Sequence, residues 1–311
     1  MKILITGSSG LVGTALVEEF KRAGHTVLRL VRPGSEGTSQ PTEGFDVQWN
    51  PRTGTLGGAA VGADAVVNLS GAPIADGRWT DARKKLLRSS RVDSTDALVS
   101  TLARMAIRPR VLISASAIGY YGDRADEQLA EASAAGSDFL STLAKDWEAS
   151  AMKAEAIGIR VVLARFGIIL AKNGGALPQI ARPFKLGIGG KLGSGRQWMS
   201  WIALDDTVKI LRLALENTAV RGAINVVSPQ PIRNSDFTKE IAHALHRPAL
   251  FAAPAFVLKL ALGEMAAMLL SSQRVLPTQL EKLGYRFIYP NQRARCRRPF
   301  PKGAVISTRL P

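Results

Sequence analysis

The feature that most constrains the fold of this chain is a glycine pattern after its first apolar run. Lys2–Thr6 leads directly into Gly7, Gly10 and Gly13, which form the pattern G-x-x-G-x-x-G. An amphipathic helical segment over residues 14–23 comes next. The first glycine of such a pattern ends a strand in a tight turn, and the last lets the helix pack closely on the sheet. The pattern therefore predicts a strand–turn–helix unit at the N-terminus.

The turn also predicts a ligand, because free backbone N–H groups and the dipole at a helix start bind a diphosphate. A dinucleotide cofactor carries such a diphosphate, and the glycines allow it to approach the backbone. The residues of the turn that we predict to contact the cofactor are Gly7, Ser9, Gly10, Leu11, Val12 and Gly13.

The end of the second predicted strand distinguishes between the two nicotinamide cofactors. A site for NAD usually presents an acidic residue there, which binds the ribose 2′-hydroxyl. This chain has Leu30-Val31-Arg32 and no carboxylate. Because the guanidinium of Arg32 suits a 2′-phosphate, the sequence predicts NADP(H) rather than NAD(H).

Short apolar runs alternate with helical segments through the first half of the chain. The predicted strands cover residues 2–6, 26–32, 65–70, 111–116 and 160–165, and the predicted helices cover residues 14–23, 82–104 and 139–156. Buried strands separated by helices predict a parallel sheet with right-handed crossovers. The expected fold class is α/β, a Rossmann-type doubly wound parallel sheet with a smaller, mostly helical C-terminal substrate lobe.

The domain organisation follows from the break in this alternation after residue 168. We predict an NAD(P)-binding Rossmann domain over residues 1–168, completed by residues 199–227, a substrate lobe over residues 169–198 and 228–290, and a basic, poorly ordered tail over residues 291–311. The apolar stretch 250–270 contains Pro254, Lys259 and Glu264. We therefore interpret it as an amphipathic core helix rather than a membrane span.

The charge of the chain limits the partners that we expect. Its 41 Lys and Arg residues against 25 Asp and Glu residues give a formal net charge of +16. Such a charge attracts nucleic acid, but no nucleic-acid motif accompanies it. We therefore expect no nucleic-acid partner and interpret the charge as a basic surface that suits an anionic cofactor and a small-molecule substrate. A homodimer stays an open alternative.

Cysteine and histidine usage excludes other classes of protein. The single cysteine, Cys296, allows no intrachain disulfide and no four-thiolate metal site, and with three histidines we predict no bound metal. Nothing at the N-terminus resembles a signal peptide. We expect a cytoplasmic protein without a membrane partner.

Several further motifs resemble one superfamily. They are TGSSGLVG at residues 6–13, NLSGA at 68–72, SASAIGYYG at 114–122, DWE at 146–148 and GSGRQWMSWI at 193–202. Together they resemble the extended short-chain dehydrogenases/reductases, and most of all the atypical branch called epimerase family or sugar-nucleotide epimerase-like proteins. The resemblance extends from residue 1 to about residue 290.

This resemblance implies further positions in the site. It adds as cofactor contacts Leu69, Ser70, Gly71, Ser114, Ala115, Arg165 and Gly167. Extended members contact the substrate at the positions of Arg196, Gln197 and Trp198, and an arginine suits a phosphate or carboxylate. Packing between the two lobes is the alternative role for the tryptophan.

The chain departs from the superfamily at the catalytic Tyr-x-x-x-Lys pair, whose positions hold Leu140 and Ala144. In the usual mechanism the lysine lowers the pKa of the tyrosine, so that the phenol can exchange a proton with the substrate. Ser116 matches the catalytic serine, and we predict that it donates a hydrogen bond to the substrate. Tyr120 or Tyr121 would then act as the acid, with core packing as the alternative.

Two functions are compatible with these residues. The first is an NADP(H)-binding oxidoreductase or epimerase-like enzyme that acts on a small anionic substrate. The alternative, favoured by the missing pair, is a non-catalytic NADP(H)-binding redox sensor or assembly factor.

Overall fold

The computed structural model describes residues 1–32, 45–172 and 174–291. The predicted tail over residues 291–311 lies outside the described residues from position 292 onward, as does Cys296.

Strands and helices alternate along the chain. In chain order the strands are β1 Lys2–Thr6, β2 Thr26–Val31, β3 Asp46–Asn50, β4 Thr55–Leu56, β5 Ala65–Asn68, β6 Val111–Ala117, β7 Gln128–Leu129, β8 Arg160–Phe166, β9 Ile168–Ala171, β10 Gly174–Gly175, β11 Gly190–Leu192, β12 Trp198–Met199, β13 Trp201–Ala203, β14 Gly222–Val226, β15 Ile232–Arg233, β16 Phe251–Ala253 and β17 Arg274–Val275. The α-helices are α1 Leu11–Arg22, α2 Asp81–Arg88, α3 Ser94–Ala103, α4 Phe139–Met152, α5 Ala176–Lys185, α6 Leu204–Glu216, α7 Asn234–Leu245, α8 Ala255–Leu262, α9 Ala267–Leu270 and α10 Thr278–Lys282. Short 3₁₀ helices cover Gly58–Ala60, Ile118–Tyr121, Lys153–Ile157 and Gly263–Ala266, and a π-helical turn covers Ser89–Asp93.

The largest sheet has eight strands in the order β14-β8-β6-β5-β1-β2-β3-β4. Neighbouring strands from β14 to β3 pair in parallel, and β4 pairs antiparallel with β3 at the edge. This order places β2 on one side of β1 and β5 on the other, which is the point where a doubly wound sheet reverses its strand order. The predicted α/β fold class is confirmed.

Both faces of the sheet are buried, each in its own core. Because successive residues of a strand point to opposite faces, Ile3 and Ile5 pack with Phe20 of α1. Leu4 points to the other face and packs with Leu102 of α3. Burial on both faces explains why the central strands are almost continuous apolar runs.

The edge of the sheet and one helix differ from the sequence prediction. β3 and β4 extend the sheet, although no strand is predicted there. The sequence prediction missed β3 because only Val47 and Trp49 are buried in it, between polar neighbours. The helix predicted over residues 82–104 is divided by the π-helical turn Ser89–Asp93. This turn carries Arg91, whose side chain reaches the segment that follows β5.

Two short strand pairs connect the segments that we assign to the substrate lobe. β11 pairs with β16, and β12 pairs with β15. Residues 190–199 are thereby joined to residues 232–253. The domain boundaries given above stay a prediction.

The apolar stretch 250–270 is not the core helix that the sequence predicts. It forms β16, α8, a 3₁₀ turn and α9, and no residue of α8 is buried. Pro254 precedes α8 and Gly263 ends it with a φ of +61°, so the backbone interrupts a continuous helix on both sides. Among the described helices, none is long and apolar enough to cross a bilayer.

Candidate functional site

The glycine turn lies where β1 meets the segment after β5. Gly7 has a φ of +66°, and a Cβ atom there would lie 2.7 Å from the carbonyl carbon of Leu69. The position therefore accepts only a residue without a side chain. Because β1 and β5 are neighbours at the reversal point of the sheet, the turn and Leu69 border the crevice where doubly wound folds bind dinucleotides.

The start of α1 leaves its backbone N–H groups available to a ligand. Gly10 caps the helix without a side-chain hydrogen bond, and the first turn carries no acidic residue. A Cβ atom at Gly13 would lie 2.3 Å from the oxygen of Gly7, so the turn folds back tightly on the helix. Neither a side chain nor a charge obstructs a diphosphate at this helix start, and the residues present fit a dinucleotide.

A chain of buried hydrogen bonds connects the ends of the central strands. Thr6 Oγ1 donates to Asn68 Oδ1 at 2.7 Å, and Asn68 Nδ2 donates to Thr95 Oγ1 at 2.9 Å. The backbone N–H of Leu69 donates to Thr6 Oγ1 at 3.2 Å. Ser114 is buried beside Asn68 Nδ2 at 3.4 Å. These bonds hold the glycine turn and the segment after β5 in one arrangement.

Arg91 supports the same segment from below, a role that the sequence did not indicate. Its Nη2 donates to the carbonyl of Ala72 at 2.9 Å, and its guanidinium lies 5.3 Å from the ring centroid of Trp147. Burial, with a smaller contribution from the charge of Arg83, lowers the pKa of Arg91 to about 10. A Cβ atom at Gly71 would lie 3.1 Å from the Arg91 guanidinium carbon, which makes this contact close.

Ser116 belongs to a buried ion pair. Its hydroxyl donates to Glu148 Oε1 at 2.6 Å. Arg165 donates to both carboxylate oxygens of Glu148, from Nε at 2.7 Å and from Nη2 at 2.8 Å. The predicted donor bond from Ser116 to a substrate is therefore not available in this arrangement, because the hydroxyl proton is directed at Glu148. The serine oxygen is left as an acceptor.

Glu148 controls the charge of this cluster. Burial acts to lower the pKa of Arg165, but the hydrogen bonds and the negative charge of Glu148 outweigh burial and raise that pKa above its ordinary value. Both partners are almost fully buried. A bidentate pair of this kind keeps two charges inside the protein only because each compensates the other.

The helix α4 differs from the superfamily pattern on the side that carries Glu148. Leu140, Ala144 and Glu148 are spaced by four residues in α4, so they lie along one side of the helix. The side expected to carry a tyrosine and a lysine carries two apolar residues and then an acid. The DWE motif indicated this acid, but nothing in the sequence indicated a partner for Glu148.

The two candidate tyrosines occupy different environments. Tyr121 is fully buried, donates to Asn225 Oδ1 at 2.6 Å and accepts from Arg165 Nη1 at 2.9 Å. Burial raises the pKa of Tyr121 to about 12, although Arg165 acts in the opposite direction. Tyr120 is half-buried, and its ring lies 3.6 Å from the guanidinium of Arg165. Within the described residues its hydroxyl makes no hydrogen bond.

The three predicted substrate residues also occupy different environments. Gln197 is buried, and its amide donates to the carbonyls of Leu192 and Leu269, both at 3.1 Å. It therefore joins two segments of the lobe. Arg196 is exposed, and the half-buried Trp198 donates from its indole N–H to Asp126 at 2.9 Å.

Two arginines lie against Trp198, and the sequence motifs did not indicate either. The guanidiniums of Arg233 and Arg274 lie 4.2 Å and 4.7 Å from its ring centroid. Arg233 pairs with Asp126 at 2.8 Å, and the bonds from Trp198 and Arg233 lower the pKa of Asp126. Within the described ranges, the Arg274 guanidinium makes no hydrogen bond or ion pair, and its Nε is buried.

Arg274 lies next to the segment that carries the tyrosines. Its neighbour Gln273 donates from its amide to the carbonyls of Ile118 and Gly122, at 3.2 Å and 3.1 Å. These bonds hold the start of β17 against the 3₁₀ turn Ile118–Tyr121.

No cluster of three or more His, Cys, Asp or Glu side chains suited to a metal occurs in the part of the chain that the structure describes.

The glycine turn at the reversal point of the sheet, with Ser116 two strands away, defines a nucleotide-binding protein of the short-chain dehydrogenase/reductase type. The sequence model of the NAD dependent epimerase/dehydratase family matches residues 3–227, and that of a domain of unknown function, DUF1731, matches residues 253–297. The chain belongs to the NAD dependent epimerase/dehydratase family. The predicted resemblance is confirmed.

Named relatives cover nearly the whole chain. The epimerase family protein Mb2239 of Mycobacterium bovis is 41% identical over 287 residues, 92% of this chain and 93% of the relative. YfhF of Bacillus subtilis is 39% identical over 290 residues, 93% of this chain and 94% of the relative. The crystal structure of human epimerase family protein SDR39U1 (isoform 2) with NADPH is similar with a TM-score of 0.85, at 30% identity, over 95% of this chain and 98% of that chain.

Proposed function

We propose that this protein is an NADP(H)-dependent oxidoreductase or epimerase-like enzyme that acts on a small, anionic substrate. The observation that carries the proposal is the row formed by three strand ends. Thr6 and Asn68, the last residues of β1 and β5, are in register with each other, and Asn68 is in register with Ser114, three residues before the end of β6. Two strand spacings amount to about 10 Å, which brings the glycine turn and Ser116 within reach of one dinucleotide.

The cofactor side rests on the glycine turn and on Arg32. Gly7, Gly10 and Gly13 offer the diphosphate an uncapped helix start. Arg32 follows β2 and is exposed, which suits a 2′-phosphate. The human relative whose structure contains NADPH supports the same choice of cofactor. A bound nicotinamide supplies the hydride transfer.

The chain's own groups hold and move the proton. Ser116 donates to Glu148, so its oxygen accepts a hydrogen bond from a substrate hydroxyl. Tyr120 retains a hydroxyl without a partner among the described residues, and we assign to it the exchange of the proton. Tyr121, enclosed by Asn225 and Arg165, holds the network in place.

The anionic character of the substrate rests on Arg274. A half-buried guanidinium without a hydrogen bond or ion pair among the described residues is a strong site for a phosphate or carboxylate. Trp198 orients it, whereas Arg233, the other arginine on the same ring, is already paired with Asp126.

The test has two parts, binding and turnover. Calorimetry should show NADPH binding at least about tenfold tighter than NADH binding, and Arg32→Ala should remove most of that difference. Oxidation of NADPH should then be followed with a panel of carbonyl compounds and nucleotide sugars. Tyr120→Phe should reduce kcat by about a hundredfold or more without loss of NADPH affinity.

The second candidate function is a non-catalytic NADP(H)-binding sensor or assembly factor. The observation that favours it is the apolar pair Leu140 and Ala144 in place of the tyrosine and lysine. If NADPH binds and no compound of the panel is turned over, this second function replaces the first. In that case Gly10→Asp should abolish a cellular phenotype that Ser116→Ala and Tyr120→Phe leave intact.

A further inference from the structure

One surface of the C-terminal lobe combines exposed apolar side chains with positive charge. Residues 182–191 and 247–260 form it, and we call it the α8 face. Parallel pairing of β11 with β16, with Gly190 opposite Phe251, holds the two segments together. Its exposed large apolar side chains are Leu186, Ile188, Leu250, Phe251, Phe256, Val257 and Leu260.

The exposure of these side chains is unusual for their size. Leu250 is 82% exposed, Leu260 78% and Phe256 72%. Leaving such apolar area in water forgoes the stabilisation that burial provides, and contiguous exposed apolar patches mark binding surfaces. Phe256 and Leu260 are one helical turn apart, so they share one side of α8. No described residue of the chain covers this side of the helix.

The charged side chains of the α8 face all have the same sign. Its residues include no Asp or Glu, and its exposed basic residues are Arg182, Lys185, Lys191, Arg247 and Lys259. In a chain with a net charge of +16, a patch of cations opposes the approach of a second copy. It attracts an anionic partner instead.

The α8 face is preformed, because the C-terminal end of α8 is held in place. Arg78 donates from Nε to the carbonyl of Ala261 at 2.9 Å and from Nη2 to the carbonyl of Leu260. Lys84 pairs with Glu264 at 2.6 Å. The 3₁₀ turn that follows buries Met265 in an apolar core. No rearrangement is needed to expose Phe256 and Leu260.

We propose that the α8 face binds the surface of a bilayer that contains anionic phospholipids, in contrast to the expectation from the sequence of no membrane partner. Phe256 and Leu260 enter the boundary between the headgroups and the acyl chains, and the surrounding lysines and arginines pair with the lipid phosphates. The eight residues of α8 are too few to span a bilayer, so the helix lies along the surface.

The arrangement of the apolar side chains favours lipid over an acidic protein. They protrude from a loop, a strand and a helix, at Ile188, Phe251 and Phe256. A fluid apolar layer accommodates such separate tips directly, whereas a protein partner would need a pocket shaped for each of them.

Flotation of the full chain with lipid vesicles tests the proposal. The protein should bind vesicles of phosphatidylcholine with about one third phosphatidylglycerol, and bind pure phosphatidylcholine vesicles at least about tenfold more weakly. The double change Phe256→Ser with Leu260→Ser should weaken binding by about a hundredfold. Lys259→Glu, which reverses one charge, should weaken it by roughly tenfold.

Matched controls distinguish vesicle binding by the α8 face from nonspecific hydrophobic binding and from the effects of unfolding. Ile107→Ser removes an apolar side chain that is also exposed but lies after α3, and it should leave vesicle binding unchanged. The α8 variants should keep the NADPH affinity and melting temperature of the parent. Gly10→Asp should in turn keep vesicle binding, so failure of the cofactor proposal is distinguishable from failure of this one.

Three results would overturn the proposal. The first is absence of binding to the anionic vesicles, and the second is an equal loss for Ile107→Ser. The third is a concentration-dependent dimer, seen by sedimentation, that Phe256→Ser with Leu260→Ser dissociates. That result would assign the α8 face to a second copy of the chain.

Discussion

The proposed cofactor side and the proposed catalytic side of the site hold their functional groups in different ways. On the proposed cofactor side, Gly7, Gly10 and Gly13 bring no side chains, and the backbone at the start of α1 would contact the ligand. On the catalytic side, Ser116 and the buried pair of Glu148 with Arg165 rely on side chains from three separate elements.

This difference determines how each side would respond to substitution. A backbone site depends on a few glycines that only one short motif can provide, so few substitutions would preserve it. A side-chain site can exchange one set of partners for another, provided that every buried charge keeps a partner. Here Leu140 and Ala144 occupy the positions expected to hold the tyrosine and the lysine, and Arg165 of β8 compensates the charge of Glu148, one turn further along α4.

The largest effect that we expect tests the catalytic side. Glu148→Ala leaves Arg165 buried without its carboxylate, and should lower the free energy of unfolding by about 3–5 kcal/mol. Urea denaturation measures this loss. Asp146→Ala in the same helix removes a partly exposed ion pair with Arg88, and should cost no more than about 1 kcal/mol. Equal losses of unfolding free energy in both variants would show that the buried pair of Glu148 and Arg165 stabilises the fold no more than the partly exposed pair.

The next effect tests the cofactor side. Gly10→Asp places a carboxylate at the uncapped start of α1, where it repels a diphosphate and occupies the free N–H groups. NADPH affinity should fall by about a hundredfold, about 2.7 kcal/mol, while the melting temperature changes little. Calorimetry and a thermal melt measure the two quantities. A variant that binds NADPH normally would remove the glycine turn from the site.

A smaller effect concerns the hydroxyl of Tyr121, which belongs to the catalytic side. Its pKa in the folded chain is raised from 10.0 to about 12, so the folded state retains the proton over a range in which the unfolded state releases it. This stabilisation is complete below pH 10 and is lost as the pH rises to 12. Parallel urea titrations should show that Tyr121→Phe removes about 2–3 kcal/mol of that alkaline loss. If the free energy of unfolding fell equally at alkaline pH in the two proteins, that result would contradict the burial of the Tyr121 hydroxyl.

The smallest effect on stability is expected at Arg274. Its guanidinium makes no hydrogen bond or ion pair within the described ranges, so Arg274→Ala should change the free energy of unfolding by no more than about 1 kcal/mol, from lost contact with Trp198. KM for an anionic substrate should nevertheless rise by tenfold or more, about 1.4 kcal/mol. The matched control for the rise in KM is Arg233→Ala, which removes the other arginine on Trp198 together with its ion pair to Asp126. A large loss of stability at Arg274 would make it a structural residue.

Local patterns determined the first half of the fold and the cofactor turn. The strand–turn–helix unit at residues 2–23 is encoded by neighbouring residues, because glycines, strand apolarity and helical spacing act over a few positions. Ser116 and the two tyrosines were indicated by the resemblance to the superfamily, not by local patterns. The local patterns predicted a continuous core helix over residues 250–270, which was wrong, because the periodicity of apolar residues does not show whether other elements cover them.

Only the tertiary structure decided which side chains meet. Glu148 and Arg165 are 17 residues apart, and Tyr121 and Asn225 are 104 residues apart, so no spacing in the sequence indicates their contacts. The missing tyrosine and lysine could be recognised from the sequence, whereas the ion pair formed in their neighbourhood could not. Backbone conformation follows from neighbouring residues, but the state of a buried charge depends on what the fold places around it.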